Sequence, residues 1–109
     1  MEPIKVSLLK KYFVTAEKKE ALIDHILAFS SKLTANEDGT ELFIVSTSPT
    51  EENLIFIYVV YANEEVRVLH ENSDTYITYR TAVNNLVSGV PEIIFLTPQG
   101  GKGLKTADV

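Results

Sequence analysis

Cysteine is absent from this sequence, and so is tryptophan. Without cysteine there is no disulfide, no thiolate nucleophile, no iron–sulfur cluster and no thiolate zinc site. Histidine is nearly as scarce, with only His25 and His70. They fall on different expected helices, and Asp74, four residues beyond His70, lies past the break that ends its helix. No metal-ligand set is therefore expected. Basic residues are outnumbered, ten Lys and Arg against fifteen Asp and Glu, for a formal net charge of −5. Nucleic acid and anionic membrane surfaces both require clustered positive charge, so neither is expected as a partner. The densest basic spots, Lys10-Lys11 and Lys18-Lys19, read as solvated surface. The longest apolar run, Leu54 to Ala62, falls far short of the roughly 20 residues that span a bilayer. Met1-Glu2-Pro3-Ile4-Lys5 lacks the basic-then-apolar layout of a signal peptide. What is present is ordinary for a globular chain: 109 residues, 45% hydrophobic and 23% charged. One cytoplasmic domain with one core is expected, over residues 1–98, with 99–109 a C-terminal tail.

The pattern along the chain alternates strand and helix. Ile4 to Val14 reads as a strand, with Val6 and Leu8 on one face and Leu9 and Phe13 on or near the other. Thr15 is placed to cap a helix through its hydroxyl. In that helix, which runs to about Ala35, Leu22, Ile26, Phe29 and Leu33 form one apolar stripe. Asn36-Glu37-Asp38-Gly39 breaks it, with Gly39 free to take φ > 0. Leu42 to Ser48 and Leu54 to Ala62 form a hairpin of two further strands. Asn63 caps a short helix carrying Val66, Leu69 and His70, and a second helix covers Thr75 to Val87. Pro91 introduces a last strand, Glu92 to Leu96, closed by Pro98. The tail from Gln99 onward has no apolar period and reads as a loose end or a segment ordered by a partner. The order β-α-β-β-α-β predicts an α+β, ferredoxin-like fold with an antiparallel sheet and helices on one face.

A sheet covered on one side should alternate apolar and polar residues. The third strand does not, since Leu54, Phe56, Tyr58 and Val60 oppose Ile55, Ile57, Val59 and Tyr61. The second and fourth strands repeat the effect. Leaving one face wet would expose a larger apolar patch than monomers usually carry, so a homodimer through that face is expected. The tail is too polar and glycine-rich to cover four strands.

Few residues carry candidate chemistry. Gln99-Gly100-Gly101-Lys102-Gly103 is no phosphate loop, because Leu96 stands where the first glycine belongs and no helix follows. His25 sits beside the apolar stripe and reads as a helix-flank residue. His70 follows Val66 by four and points toward the sheet. It is either a half-buried histidine bonded to a backbone carbonyl or a proton-transfer group. Tyr58, Tyr61, Tyr76 and Tyr79 are either core or the hydroxyl lining of a pocket for an aromatic ligand.

The run Phe56-Ile57-Tyr58-Val59-Val60-Tyr61-Ala62-Asn63-Glu64-Glu65, followed by His70-Glu71-Asn72-Ser73 and Tyr76, resembles the antibiotic biosynthesis monooxygenase family. Glu37-Asp38-Gly39 is similar to that family's Glu-x-Gly turn. Leu96-Thr97-Pro98-Gln99-Gly100-Gly101-Lys102-Gly103 is similar to the ending of some members. The resemblance implies a dimeric α+β barrel with a pocket between sheet and helices in each subunit. It further implies oxygenation of a small aromatic or quinol-like substrate without metal, flavin or haem. His70 would be the catalytic proton-transfer group, and Val59, Tyr61, Tyr76 and Tyr79 would bind substrate. Val59 occupies the position of the family's strand acid, so the strand offers His70 no acidic partner. Thr75 occupies that of a second histidine found in some members. A small-metabolite isomerase and a non-catalytic ligand-binding module are the alternative expectations on the same fold.

Overall fold

The computed structural model describes residues 4–103, apart from the side chains of residues 34–36. Residues 104–109 of the expected tail lie outside the described part. The elements are β1 (Val6–Phe13), α1 (Ala16–Asn36), β2 (Thr40–Thr47), β3 (Leu54–Tyr61), α2 (Glu64–Glu71), α3 (Asp74–Leu86) and β4 (Glu92–Leu96). All strand pairs are antiparallel, in the order β2-β3-β1-β4. This is the expected ferredoxin-like α+β arrangement, with the second crossover carried by two helices rather than one. Among the described residues no helix is long and apolar enough to cross a membrane.

The helices form where the apolar periods place them. Leu22, Ile26, Phe29 and Leu33 of α1 are all buried against the sheet. Asn63 caps α2, its side-chain oxygen accepting from the Val66 N–H at 2.9 Å. Ser73 does the same for α3, accepting from Tyr76 N–H at 3.1 Å. These two caps fix both helix starts and set the break between His70 and Tyr76. Thr15 departs from expectation. Its side chain makes no capping hydrogen bond, and its carbonyl instead accepts from the Lys18 N–H at 3.1 Å.

One face of the sheet holds the core. Ile55, Ile57, Val59 and Tyr61 of β3 and Leu8, Lys10 and Tyr12 of β1 are buried beneath the helices. Lys10 corrects the reading of Lys10-Lys11 as solvated surface: only 3% of it is exposed. Strand alternation puts it in phase with Leu8 and Tyr12, so β1 carries it inward whatever its charge.

The opposite face carries the second apolar set. Register aligns Ile94, Leu9, Tyr58 and Ile44 in one row across all four strands. Ile94 and Ile44, at the two edges, are about half exposed, at 52% and 46%. The adjacent row, Leu96–Ser7–Val60–Leu42, is different, with Ser7 and Val60 fully buried. Part of the tail corrects the expectation that it hangs loose. Pro98 and Gly100 to Gly103 line a cleft of about 350 Å³ together with Leu42, Ile44, Tyr58 and Val60. The chain leaves β4 at one edge and crosses to β2 at the other. Gly100, Gly101 and Gly103 have positive φ, a path that L side chains resist, which is why a glycine-rich segment can turn over the sheet. It covers the Leu42–Val60 end of the face and borders Ile44 and Tyr58, leaving the Ile94–Ile44 row partly exposed. β4 is exposed on both sides, Phe95 at 61% and Ile93 at 49% on the helix side, because the helices leave that edge largely open, with the Arg67 side chain of α2 reaching over Phe95.

Candidate functional site

The last turn of α2 brings His70 over the sheet, with 3% of the residue exposed. The Ser73 hydroxyl donates to the His70 carbonyl at 2.7 Å and ties down the helix end beneath the ring. The imidazole is packed among aromatic rings, with centroids 4.9 Å from Tyr76, 5.3 Å from Tyr61 and 5.7 Å from Phe29. Phe29 in turn stacks on Tyr79 at 3.9 Å. Three of the four expected tyrosines thus converge on one cage, while Tyr58 points to the opposite face. Val59 lies on the floor of this core, fully buried.

His70 is not bonded to a backbone carbonyl through its ring. Its Nδ1–H donates to Glu37 Oε1 at 2.6 Å. The strand position that Val59 occupies is therefore not the only source of an acid, and the missing acid–histidine pair is present by another route. A carboxylate only accepts, so Glu37 holds the proton on Nδ1 and turns Nε2 toward the cage. Glu37 is itself oriented by the Thr40 hydroxyl, which donates to the same oxygen at 3.0 Å. The Glu37 N–H donates to the Leu33 carbonyl at 2.9 Å, closing α1 beneath the turn.

Gly39 explains how this turn reaches α2. Its φ is not positive, so the expected left-handed conformation is absent. A Cβ there would lie 2.6 Å from Val66 Cγ1. The glycine is needed for close approach of the Val66 side chain to the turn rather than for its φ, and that approach brings Glu37 within reach of His70. Glu37, Gly39, Val66, Leu69 and His70 also line a cleft of about 400 Å³.

The cage contains polar atoms without partners. His70 Nε2, Tyr61 Oη and Tyr79 Oη are buried and make no hydrogen bond. Such atoms cost free energy unless something satisfies them, and clusters of them mark places where a ligand or water belongs. Burial, and then the neighbouring Tyr76 for Tyr61 and Tyr12 for Tyr79, push both phenols above their ordinary range. They are O–H donors across the physiological range. Tyr76 Oη accepts from Lys10 Nζ at 3.2 Å. Outside the cage, Arg67 is clamped between Glu64 and Glu71 and lies 5.6 Å over the Phe95 ring.

His25 keeps the place expected of it. His25 stacks on Tyr79 at 5.4 Å, with Nε2 3.4 Å from the Tyr79 carbonyl, and stays on the helix flank. No group of three His, Cys, Asp or Glu that could hold a metal ion occurs among the described residues. Sequence reasoning missed Glu37 and Lys10. For Glu37 the available signal was the Glu-x-Gly turn; for Lys10 it was strand phase.

The architecture recurs in solved proteins. A Caulobacter crescentus protein assigned to the antibiotic biosynthesis monooxygenases is similar in fold, with TM-score 0.85 and 21% identity over 90% of this chain and 92% of that one. A Nitrosomonas europaea protein with the same assignment has TM-score 0.82 and 14% identity over 94% and 98%. SnoaB, a cofactor-independent oxygenase from Streptomyces nogalater, has TM-score 0.71 and 14% identity over 92% and 98%. No curated protein matches the sequence. A sequence model of the antibiotic biosynthesis monooxygenase family matches residues 6–82, the stretch that includes Glu37, His70, Tyr76 and Tyr79. The chain belongs to the antibiotic biosynthesis monooxygenase family.

Proposed function

We propose that this protein is a cofactor-independent monooxygenase of a small aromatic or quinol-like substrate, acting in the aromatic cage around His70. The observation that carries this reading is the buried, unpartnered Nε2 of an imidazole whose other nitrogen is held by Glu37. Such a dyad moves a proton at a fixed point in a water-poor site. Tyr61 and Tyr79 supply hydroxyl donors, Tyr76 and Phe29 supply ring faces, and Val59 keeps the floor apolar.

In the proposed reaction His70 Nε2 takes a proton from an activated ring carbon or its hydroxyl. The electron-rich carbanion reacts with dioxygen, forming a C–O bond and, on protonation, a hydroperoxide. Loss of water then gives a carbonyl, so one oxygen atom ends in product and the other in water. SnoaB, a cofactor-independent oxygenase of the same fold, supports the class of reaction.

The protein is further proposed to work as a homodimer through the partly exposed row Ile94–Leu9–Tyr58–Ile44, with Phe56 beside it. Two such faces pressed together remove both from water.

Oxygen uptake with a panel of quinols and hydroxylated aromatics tests the reading. Turnover by the wild type is expected to fall about 10²- to 10⁴-fold in His70→Ala and roughly tenfold or more in Glu37→Gln, which disturbs the orienting bond. Full activity in His70→Ala would remove the assigned role. Solvent proton exchange into a substrate without oxygen uptake would instead favour an isomerase, since the same dyad can return its proton to another atom.

A further inference from the structure

We infer that the cage takes its ligand as an anion, with a negatively charged oxygen of the aromatic molecule held against Lys10 Nζ. This rests on the cage being the substrate site. Lys10 lies on the central strand β1, between Ile57 of β3 and Ile93 of β4 in the register. It is 3% exposed. Its amine donates one hydrogen bond, to Tyr76 Oη at 3.2 Å, and sits 5.3 Å from the centre of that ring. Among the described residues no carboxylate pairs with it, although a lysine so deeply buried is ordinarily paired. An amine with three N–H donors and one partner has two left to give.

Its surroundings supply several donors, while the carboxylates at the cage are already engaged, Glu37 by His70 and Thr40 and Glu71 by Arg67. Tyr76 lies between Lys10 and His70, so both flank one phenol ring. Tyr61 Oη and Tyr79 Oη have no partner and carry their protons. Arg80 adds a second cation 6.0 Å from the Tyr76 ring. The chain as a whole carries −5, and Lys10 and Arg80 place two cations at this one ring, with Glu37 and Glu71 acting on Tyr61. An ionised oxygen satisfies what the cluster offers, whereas a neutral hydrocarbon ring leaves the donors as they are. Ile93, the register neighbour of Lys10, is 49% exposed on this side of the sheet, which leaves the flank next to Lys10 open to a ligand, with Arg67 of α2 over Phe95 beyond it.

4-Nitrophenol tests this directly, because its anion absorbs visible light and its neutral form does not. Wild-type protein is expected to bind the anion, raising the visible band, and Lys10→Met to bind it about thirtyfold more weakly or worse. Neutral nitrobenzene is expected to bind both proteins alike. Lys10→Met exchanges the amine for an apolar chain and is expected to keep or raise the Tm. Lys10→Gln, which keeps a donor without charge, is a second variant expected to lose anion affinity in the same direction. Equal anion affinity in wild type and both variants, with His70→Ala still abolishing nitrobenzene binding, overturns the inference and leaves the cage as the site. Binding of nitrobenzene but not of the anion by wild type overturns it in the same way. Failure of both compounds to bind wild type overturns the cage reading itself.

Discussion

The two faces of this sheet carry similar apolar residues and have opposite fates. On β3, Ile55, Ile57, Val59 and Tyr61 vanish beneath α1, α2 and α3, whereas Phe56 and Tyr58, one residue away, stay partly exposed. The covered face contains nearly all the buried polarity: Lys10, His70 and the orphan hydroxyls of Tyr61 and Tyr79. The uncovered face is plainer, its one buried polar side chain being Ser7, whose hydroxyl donates to the Leu96 carbonyl at 3.2 Å. Apolarity alone therefore says that a face will be covered, and its buried polar groups say whether the cover encloses chemistry.

Paired substitutions on neighbouring β3 residues separate the two roles most strongly. Phe56→Glu is expected to convert a dimer to a monomer in analytical ultracentrifugation while leaving the monomer fold intact. A variant that stays dimeric would show that the face is misassigned. Ile57→Ala is expected to leave the oligomeric state alone and cost about 2–5 kcal/mol of stability in denaturant unfolding, since Ile57 is fully buried. A cost as small for Ile57→Ala as for a surface change would mean that the helix face is not the core.

A smaller effect is expected at the join between turn and helix. Gly39→Ala forces a methyl to within 2.6 Å of Val66 Cγ1. Something must shift, at about 1–3 kcal/mol. If that shift lengthens the Glu37–His70 bond, turnover should fall more than stability does. Activity that follows stability alone would mean that the turn only fills space.

The smallest and slowest-developing effect is alkaline. Burial raises the pKa of Tyr12, Tyr61 and Tyr79 above the ordinary 10.0, with neighbouring tyrosines adding to it. A raised folded-state pKa gives stability that is complete below about pH 10 and lost as pH rises further. The Tm is expected to hold up to that point and then fall, with these phenols ionising only as the protein unfolds. Their ionisation in the folded protein near pH 10, followed by ultraviolet absorbance, would mean that the cage is wet.

How much of this was legible in the sequence depended on the range of the signal. Strands and helices were, because periods of two and of 3.6 are local, and the doubly apolar strand from Leu54 was visible for the same reason. Asn63 and Pro91 marked boundaries correctly because capping and ring closure act on the adjacent backbone. Glu37 was not legible as a partner of His70. The two are 33 residues apart, and the acid was sought on the strand, at Val59, rather than in a turn. Lys10 was hidden by its own charge, since the Lys10-Lys11 pair suggests solvent while alternation assigns one of the two to the core. The glycine-rich tail was not legible as a partial cover of the sheet, because its polarity points to solvent while the positive φ open to Gly100, Gly101 and Gly103 is what turns it over the face.

Imidazole nitrogen NMR on the protein, titrated anaerobically with a hydroxylated naphthalene, tests the central claim most directly. The expected result is a saturable movement of the His70 Nε2 resonance, with Nδ1 still bonded to Glu37 and no movement at His25. Saturable binding that leaves both His70 nitrogens unmoved and survives His70→Ala unchanged would contradict the claim that this cage is where substrate is held and deprotonated.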